Sequence, residues 1–252
     1  MTNATNPRLR VEHRQDVVLV GLDRPDKLNA LDEEAVDELH AILTSTSRSP
    51  AVLVVHSTTP GIFAAGADIA ELKARTSDDA LRAINASVFA RLAQHRWPTI
   101  AVVDGPALGG GCELALACDL RVASPRAVFG QPELALGILA GAGGNWRLPQ
   151  LVGLATARRM LFMGQRLDGQ QARVAGLIDE LQEPDGLMDS ALRIAATMAK
   201  QSWRALELTK LALRLHAPDT TAFDLAAQAL LFESDDKHAR MGAFLERRAN
   251  RS

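Results

Sequence analysis

The sequence predicts an α/β fold, on three observations. Over the first three quarters of the chain, short apolar runs of strand length alternate with helical stretches. Glycine-containing turns open several of those helices, and from about Leu187 onward only helical patterns remain. The chain has 252 residues, 47% of them hydrophobic, which is enough for one large core or a core with an appendage.

The elements follow in order. Alternation in Arg8-Leu9-Arg10-Val11-Glu12 and the run Val17-Val18-Leu19-Val20 predict strands, and Leu22 to Lys27 reads as a turn. A helix begins at Asp32-Glu33-Glu34 and runs through Leu43, with Leu31, Val36, Leu39, Ile42 and Leu43 on its apolar side. Ala51 to His56 predicts a buried strand. A helix is expected after the loop from Gly61 to Asp68, and another over Ser77 to His95. Pro98 to Val103 is the next buried strand and leads into the glycine-rich stretch Gly105 to Gly111. Strand patterns recur at Leu120–Ala123 and Ala127–Phe129. The helical end of the chain is broken at Pro218 and near Ser234-Asp235-Asp236, where the two acids suit the positive end of the following helix. Thr220 to Phe232 is apolar on most faces, so that helix needs cover on more than one side, from the main domain or from another subunit.

Bulk properties exclude several classes. The formal net charge is −2 with both signs interspersed, so no basic stripe marks a nucleic-acid or membrane surface. No apolar run is long enough for a membrane helix, and MTNATNPRLRVEHRQ lacks the apolar segment of a secretory signal. Cys112 and Cys118 lie six apart in what reads as one helix, which puts them on different faces and argues against a disulfide. A reducing cytoplasmic setting is expected. The histidines are scattered without metal-ligand spacing, the glycine runs lack the Lys-Ser/Thr of a phosphate-binding loop, and no G-x-S-x-G is present.

Two glycine loops carry the candidate chemistry. Gly109-Gly110-Gly111-Cys112-Glu113 leads into the apolar stretch from Leu114, and Ala65-Gly66-Ala67-Asp68 leads into the helix from Ile69. Helix N-termini present free N–H donors, and glycine allows close approach of a ligand to the backbone. Two such loops converging on one carbonyl would form an oxyanion hole, although each alone reads equally as a turn. Glu113 sits beside those donors in an apolar run, and Glu133 stands among apolar neighbours in Phe129-Gly130-Gln131-Pro132-Glu133-Leu134. Apolar surroundings raise a carboxylate's proton affinity, which suits acid–base work near neutral pH. Taken singly, each glutamate could be a helix-end charge or an exposed turn residue.

With these motifs assembled, the chain resembles the crotonase superfamily, also called the enoyl-CoA hydratase/isomerase family, along nearly its whole length. The resemblance rests on Leu22-Asp23-Arg24-Pro25 with Leu28-Asn29-Ala30-Leu31, on FAAGADI from Phe63, on ALGGGCELALACDL from Ala107 and on FGQPELALGI from Phe129. Gly141-Ala142-Gly143-Gly144 and the ending from Ser234 to Arg248 complete it. It implies a spiral of repeated strand-strand-helix units over residues 1–198. A helical segment over 199–252 would then assemble trimers or hexamers. It also implies the N–H groups of Ala67 and Gly110 as the oxyanion hole, Glu113 and Glu133 as holders of the catalytic water, and Gln131 and Gly141 as residues that orient them. Ala65 would lie at the coenzyme A adenine, with Lys27 and Asp68 as further substrate contacts. Arg247 matches a basic position that reaches a neighbouring subunit's CoA phosphates. No cofactor or metal is implied beyond the coenzyme A of the substrate.

The implied reaction adds water across an α,β-unsaturated acyl-CoA, with Glu113 as base and Glu133 as acid. The superfamily also holds isomerases, hydrolases, decarboxylases and dehalogenases, as well as members that bind RNA. Retention of both carboxylates favours a hydratase over an isomerase, and the acidic charge balance disfavours RNA. One departure stands out. Many relatives read Pro-Gly-Ala-Gly-Gly-Thr-Gln-Arg where this chain has Ala140-Gly141-Ala142-Gly143-Gly144-Asn145-Trp146-Arg147. Trp146 is therefore expected either to line the acyl pocket or to pack into the core.

Overall fold

The computed structural model describes residues 7–215 and 221–249, the side chains of Leu215 and of several positions from 221 onward excepted. The chain opens with an antiparallel hairpin of β1 (Leu9–Arg14) and β2 (Val17–Leu22). Every residue of β2 is buried, as expected for a strand covered on both faces. After a single 3-10 turn, Pro25–Lys27, comes α1 (Glu33–Thr46), whose first turn is capped by Asp32 accepting the Ala35 N–H. β3 (Val52–Ser57), α2 (Ile69–Ala74), α3 (Ser77–Leu81) and α4 (Ile84–Ala93) follow.

The predicted continuous helix over Ser77–His95 is thus two helices. α3 is closed by its own capping box between Thr76 and Asp79, and Ala83 then takes a left-handed conformation (φ 54°) before α4 begins.

The middle of the chain builds the spiral. β4 (Thr99–Val103) lies in the large sheet and β5 (Pro106–Leu108) in the small one, and α5 (Gly110–Ala117) follows. β6 (Leu120–Ala123) and β7 (Val128–Gly130) repeat that division before α6 (Gly144–Met163), which is interrupted at Gly153 (φ 71°). The run β8 (Leu167–Asp168), α7 (Gly169–Val174) and β9 (Glu180–Leu181) closes both sheets. Their orders are β1-β2-β3-β4-β6-β9 and β5-β7-β8, and from β2 to β9 the large sheet is parallel. This is the strand-strand-helix repeat, with the pairs β4/β5 and β6/β7 each delivering one strand to either sheet.

The α5 helix ends at Ala117, so Cys118 lies just past it in extended conformation, and both cysteines are buried free thiols.

Both faces of the large sheet are covered. Leu53, Val55, Ala101 and Val103 face a core shared with α1, α4, α5 and α6. Val52, Val54, Ile100 and Val122 face Leu187, Ala191 and Ala195 of α8 (Leu187–Ala199). Each fully buried aliphatic side chain contributes about 1.5–3 kcal/mol. Three further helices complete the chain: α9 (Trp203–Leu215), α10 (Thr221–Phe232) and α11 (Asp235–Ala249). α9 is pinned to the core through buried Lys210, which donates to the Trp97 carbonyl (3.0 Å) and to Asp119 (2.6 Å). On α10, Ala227 is buried while Leu225, Leu230 and Phe232 remain exposed in the single chain. Ser234 caps α11 through the Lys237 N–H, with Asp235 and Asp236 in its first turn.

Candidate active site

Strand β5 draws the two glycine loops together. Ala64 N–H donates to the Pro106 carbonyl (3.0 Å), and Leu108 N–H donates to the Ala64 carbonyl (3.1 Å). On its other side the loop is fixed by Leu31, whose N–H donates to the Gly66 carbonyl (2.8 Å) and whose carbonyl accepts from Asp68 (3.3 Å). α5 begins at Gly110, so the second and third glycines form its first turn. A Cβ at Gly111 would stand 2.1 Å from the Ala64 carbonyl oxygen, so only glycine lets the helix rest on that loop. A Cβ at Gly110 would lie 3.4 Å from the Ala67 nitrogen, which places those two amides side by side. Among the described residues neither amide donates to a backbone acceptor. Two adjacent donors of this kind can hold one developing oxyanion.

The carboxylates flank these donors. Glu113, in the first turn of α5, is only 3% exposed, and its Oε1 accepts the N–H groups of Ala142 (2.7 Å) and Gly144 (2.9 Å). Burial pushes its pKa up, while those two amides and the Arg147 guanidinium oppose the shift. Glu133 begins a 3-10 turn (Glu133–Leu136) and is 8% exposed, so it is not an exposed turn residue. Its Oε1 lies over Gly109, 2.9 Å from where a Cβ would stand. Buried Gln131, with its amide nitrogen turned toward the carboxyl, donates to both oxygens of Glu133 (3.1 and 2.9 Å). Burial and then the Glu113 charge raise the Glu133 pKa to about 7 against the pull of its own backbone N–H. The site therefore offers one carboxyl gripped by two backbone amides, which favour its anion against burial, and one that can hold a proton near neutral pH.

That asymmetry has a consequence for stability. Glu133 titrates at about 7 in the fold against 4.5 in the open chain. A raised folded-state pKa gives stability that is fully present below the unfolded value and is lost as pH rises through the folded one. Glu133→Gln removes this loss. Its melting temperature should match the wild type near pH 4 and exceed it at about pH 8. Parallel melting curves at both pH values would show that the carboxyl is not strained by ionisation.

The other expected residues are placed as follows. Ala65 N–H donates to the Leu28 carbonyl (3.0 Å), which brings Ala65 beside the turn that carries exposed Lys27. Asp68 caps α2 through the Ala70 N–H (3.0 Å) and pairs with Arg24 (3.2 Å), and both interactions lower its pKa. In the unliganded chain its carboxylate is thus engaged in holding the loop. Gly141 lies in the exposed turn just before the Ala142 and Gly144 amides that grip Glu113. Trp146 is 50% exposed and stacks on the Arg147 guanidinium at 4.2 Å, which overturns core packing for it. Arg247 falls within α11, but its side chain lies outside the described residues.

Sequence reasoning passed over three groups. The Ala142 and Gly144 amides carry no side-chain signal at all. Asn29, left-handed at φ 54°, donates to Ser57 (2.8 Å) and to the Phe63 carbonyl (2.9 Å), so it steadies the entrance to the oxyanion loop. Arg147 is a buried cation in the first turn of α6; its signal was a charge following two glycines in an apolar stretch.

A cleft of about 250 Å³ elsewhere, lined by His56, Thr58, Asp104, Arg126 and Met188 among others, includes neither glutamate. Among the described residues there is no group of three or more His, Cys, Asp or Glu arranged to hold a metal. No described helix is long and apolar enough to cross a membrane.

Known proteins resemble this chain in sequence and in fold. The family model described as enoyl-CoA hydratase/isomerase matches residues 12–251. The 2,3-dehydroadipyl-CoA hydratase of Escherichia coli is 39% identical over 248 residues, covering 95% of this chain and 96% of that protein. The short-chain-enoyl-CoA hydratase of Clostridium acetobutylicum is 36% identical over 246 residues, or 94% of each. The crystal structure of an enoyl-CoA hydratase from Bacillus anthracis superposes with a TM-score of 0.90 at 30% identity, covering 95% of this chain and 96% of that one. By sequence, by the two-sheet spiral and by the paired loops, this chain belongs to the enoyl-CoA hydratase/isomerase family.

Proposed function

We propose that the protein is an enoyl-CoA hydratase, converting a trans-2-enoyl-CoA and water into a 3-hydroxyacyl-CoA. The observation that carries this reading is the buried pair Glu113 and Glu133 beside the two free amides of Ala67 and Gly110. Those amides polarise the thioester carbonyl and take up enolate charge, each contributing on the order of 3 kcal/mol. Glu113, ionised, accepts a proton from water as its oxygen bonds to Cβ, and Glu133, protonated, delivers a proton to Cα. Positioned acid–base groups of this kind are worth roughly 10²–10⁴-fold.

Ala65, Lys27 and Asp68 border the coenzyme A moiety in this reading, Gln131 and Gly141 orient Glu133 and the water, and Trp146 borders the acyl chain. Arg247 reaches the phosphates of CoA bound to a neighbouring subunit. The setting is cytoplasmic, in fatty-acid or phenylacetate-type degradation. The test is incubation with a short trans-2-enoyl-CoA, following loss of the conjugated thioester's ultraviolet absorbance. A hydratase consumes the conjugated substrate. An isomerase instead generates that absorbance from a 3-enoyl-CoA and leaves the 2-enoyl compound largely intact, which would overturn the assignment.

The reading includes assembly as a trimer or a pair of trimers, with the helical segment 199–252 as its contact. Support comes from the exposed apolar side chains Leu225, Leu230 and Phe232 on α10. Light scattering at micromolar concentration should give three or six times the chain mass of 27.1 kDa. A monomer would exclude it.

A further inference from the structure

Arg147 is buried, yet it forms no ion pair with a carboxylate among the described residues. It is 6% exposed, its Nη1 donates to the Ala142 carbonyl (2.9 Å), its Nη2 donates to the Phe89 carbonyl of α4 (3.3 Å), and its Nε has no partner. A buried cation held only by neutral carbonyls is costly unless a nearby negative charge compensates it. Burial disfavours its charge, and among the groups that offset this Glu113 acts most strongly, ahead of the Cys118 thiol. The peptide whose carbonyl Arg147 holds belongs to the same residue whose N–H donates to Glu113 Oε1, at 2.7 Å. Room for this arrangement exists because position 143 is glycine at φ 121°. A Cβ there would stand 1.9 Å from Nη1. Trp146 covers a face of the guanidinium at 4.2 Å and shields it from water, which gives a use for the indole that stands where relatives carry glutamine.

We propose that Arg147 is the positioning residue for Glu113. It clamps the 142–144 loop so that two amides meet the carboxylate, and its positive charge favours the ionised form of Glu113 against the burial that opposes it. This rests on the hydratase reading of the site. The remaining groups around Glu113 do not supply that charge. Glu133, on its 3-10 turn, is of like sign. Cys112, on Glu113's own helix, is held neutral by burial and by both glutamates, and Cys118 is likewise a buried, neutral thiol. The hydrogen bond that α4 makes with Arg147 is to the neutral Phe89 carbonyl.

The test is the pH dependence of kcat/KM for Arg147→Gln and Arg147→Lys beside the wild type. Loss of the charge should move the acid limb, on which Glu113 must be ionised, upward by about one pH unit. At pH values below that limb, activity then falls roughly tenfold more than on the plateau above it. Arg147→Lys retains the charge but cannot fork to two carbonyls, so its acid limb stays in place while kcat drops severalfold with KM unchanged. Equal losses at every pH in Arg147→Gln, or wild-type kcat in Arg147→Lys, would overturn the proposal. Should Arg147→Gln fail to fold, the lysine variant still decides. Carbon NMR titration of labelled glutamates, with the Glu113 signal assigned by its loss in Glu113→Gln, reads the same shift without turnover. A shifted Glu113 titration in a protein that hydrates no enoyl-CoA would refute the function and keep the electrostatic role. An unshifted titration would remove that role whatever the activity.

Discussion

Glu113→Gln and Glu133→Gln should each lower kcat for hydration by roughly 10²-fold or more, while KM for the CoA thioester changes little. Both substitutions keep shape. Glutamine at 113 can still accept the Ala142 and Gly144 amides through its carbonyl oxygen, so the loop stays in place and only proton acceptance is lost. Glutamine at 133 cannot release a proton to Cα, and its neutral amide lacks the group that titrates at about 7. The double variant should lose far less than the product of the two single losses, because both carboxyls act on one water. Steady-state kinetics on the three variants provides the comparison. Near-normal hydration by either single variant would rule out a two-carboxyl mechanism.

A second large effect is expected from adding one methyl group at Gly111. Its Cβ would overlap the Ala64 carbonyl oxygen, a backbone atom tied in turn to Leu108, so the strain cannot be relieved by a side-chain rotation. Either α5 or the 63–68 loop must shift, and the Ala67 and Gly110 amides then no longer aim at one point. Misaligning one such donor costs roughly 10²–10³ in kcat, and overpacking adds about 1–3 kcal/mol of destabilisation. Gly186→Ala is the matched control, since position 186 has ordinary backbone angles and its nearest neighbour is a flexible Gln182 oxygen at 3.9 Å. The control should keep both kcat and melting temperature. If Gly111→Ala, assayed well below its melting temperature, kept wild-type kcat, the oxyanion hole would not be where these loops place it.

Much of this architecture is legible in the residues. Val17 to Val20, Ala51 to His56 and Pro98 to Val103 read as strands because their apolar character is nearly continuous, the mark of a parallel sheet covered on both faces, and the structure shifts their ends by only one or two residues. Glu113 and Glu133 stood out because a charge within an apolar run needs a reason. Other features were hidden because they depend on contacts between distant segments. The break at Ala83 follows from a local capping box that competes with a helical pattern continuous in sequence. The amides of Ala142 and Gly144 are backbone groups with no residue-type signature, and their approach to Glu113 spans about thirty positions. The sequence left Trp146 with two readings, pocket or core. The structure excludes the core, because the neighbouring Arg147 is the side chain that turns inward, and the indole stacks over it from the solvent side.

The central claim is that this site moves the elements of water onto one double bond. The most direct measurement is the reaction of a short trans-2-enoyl-CoA in deuterium oxide enriched with heavy oxygen, with products read by mass spectrometry and NMR. Hydration through Glu113 and Glu133 predicts one heavy oxygen at Cβ and one deuterium at Cα in the wild-type product, and neither within the same time in the Glu113→Gln and Glu133→Gln proteins. Deuterium without heavy oxygen would identify proton shuttling alone, and would contradict hydration as the chemistry of this site.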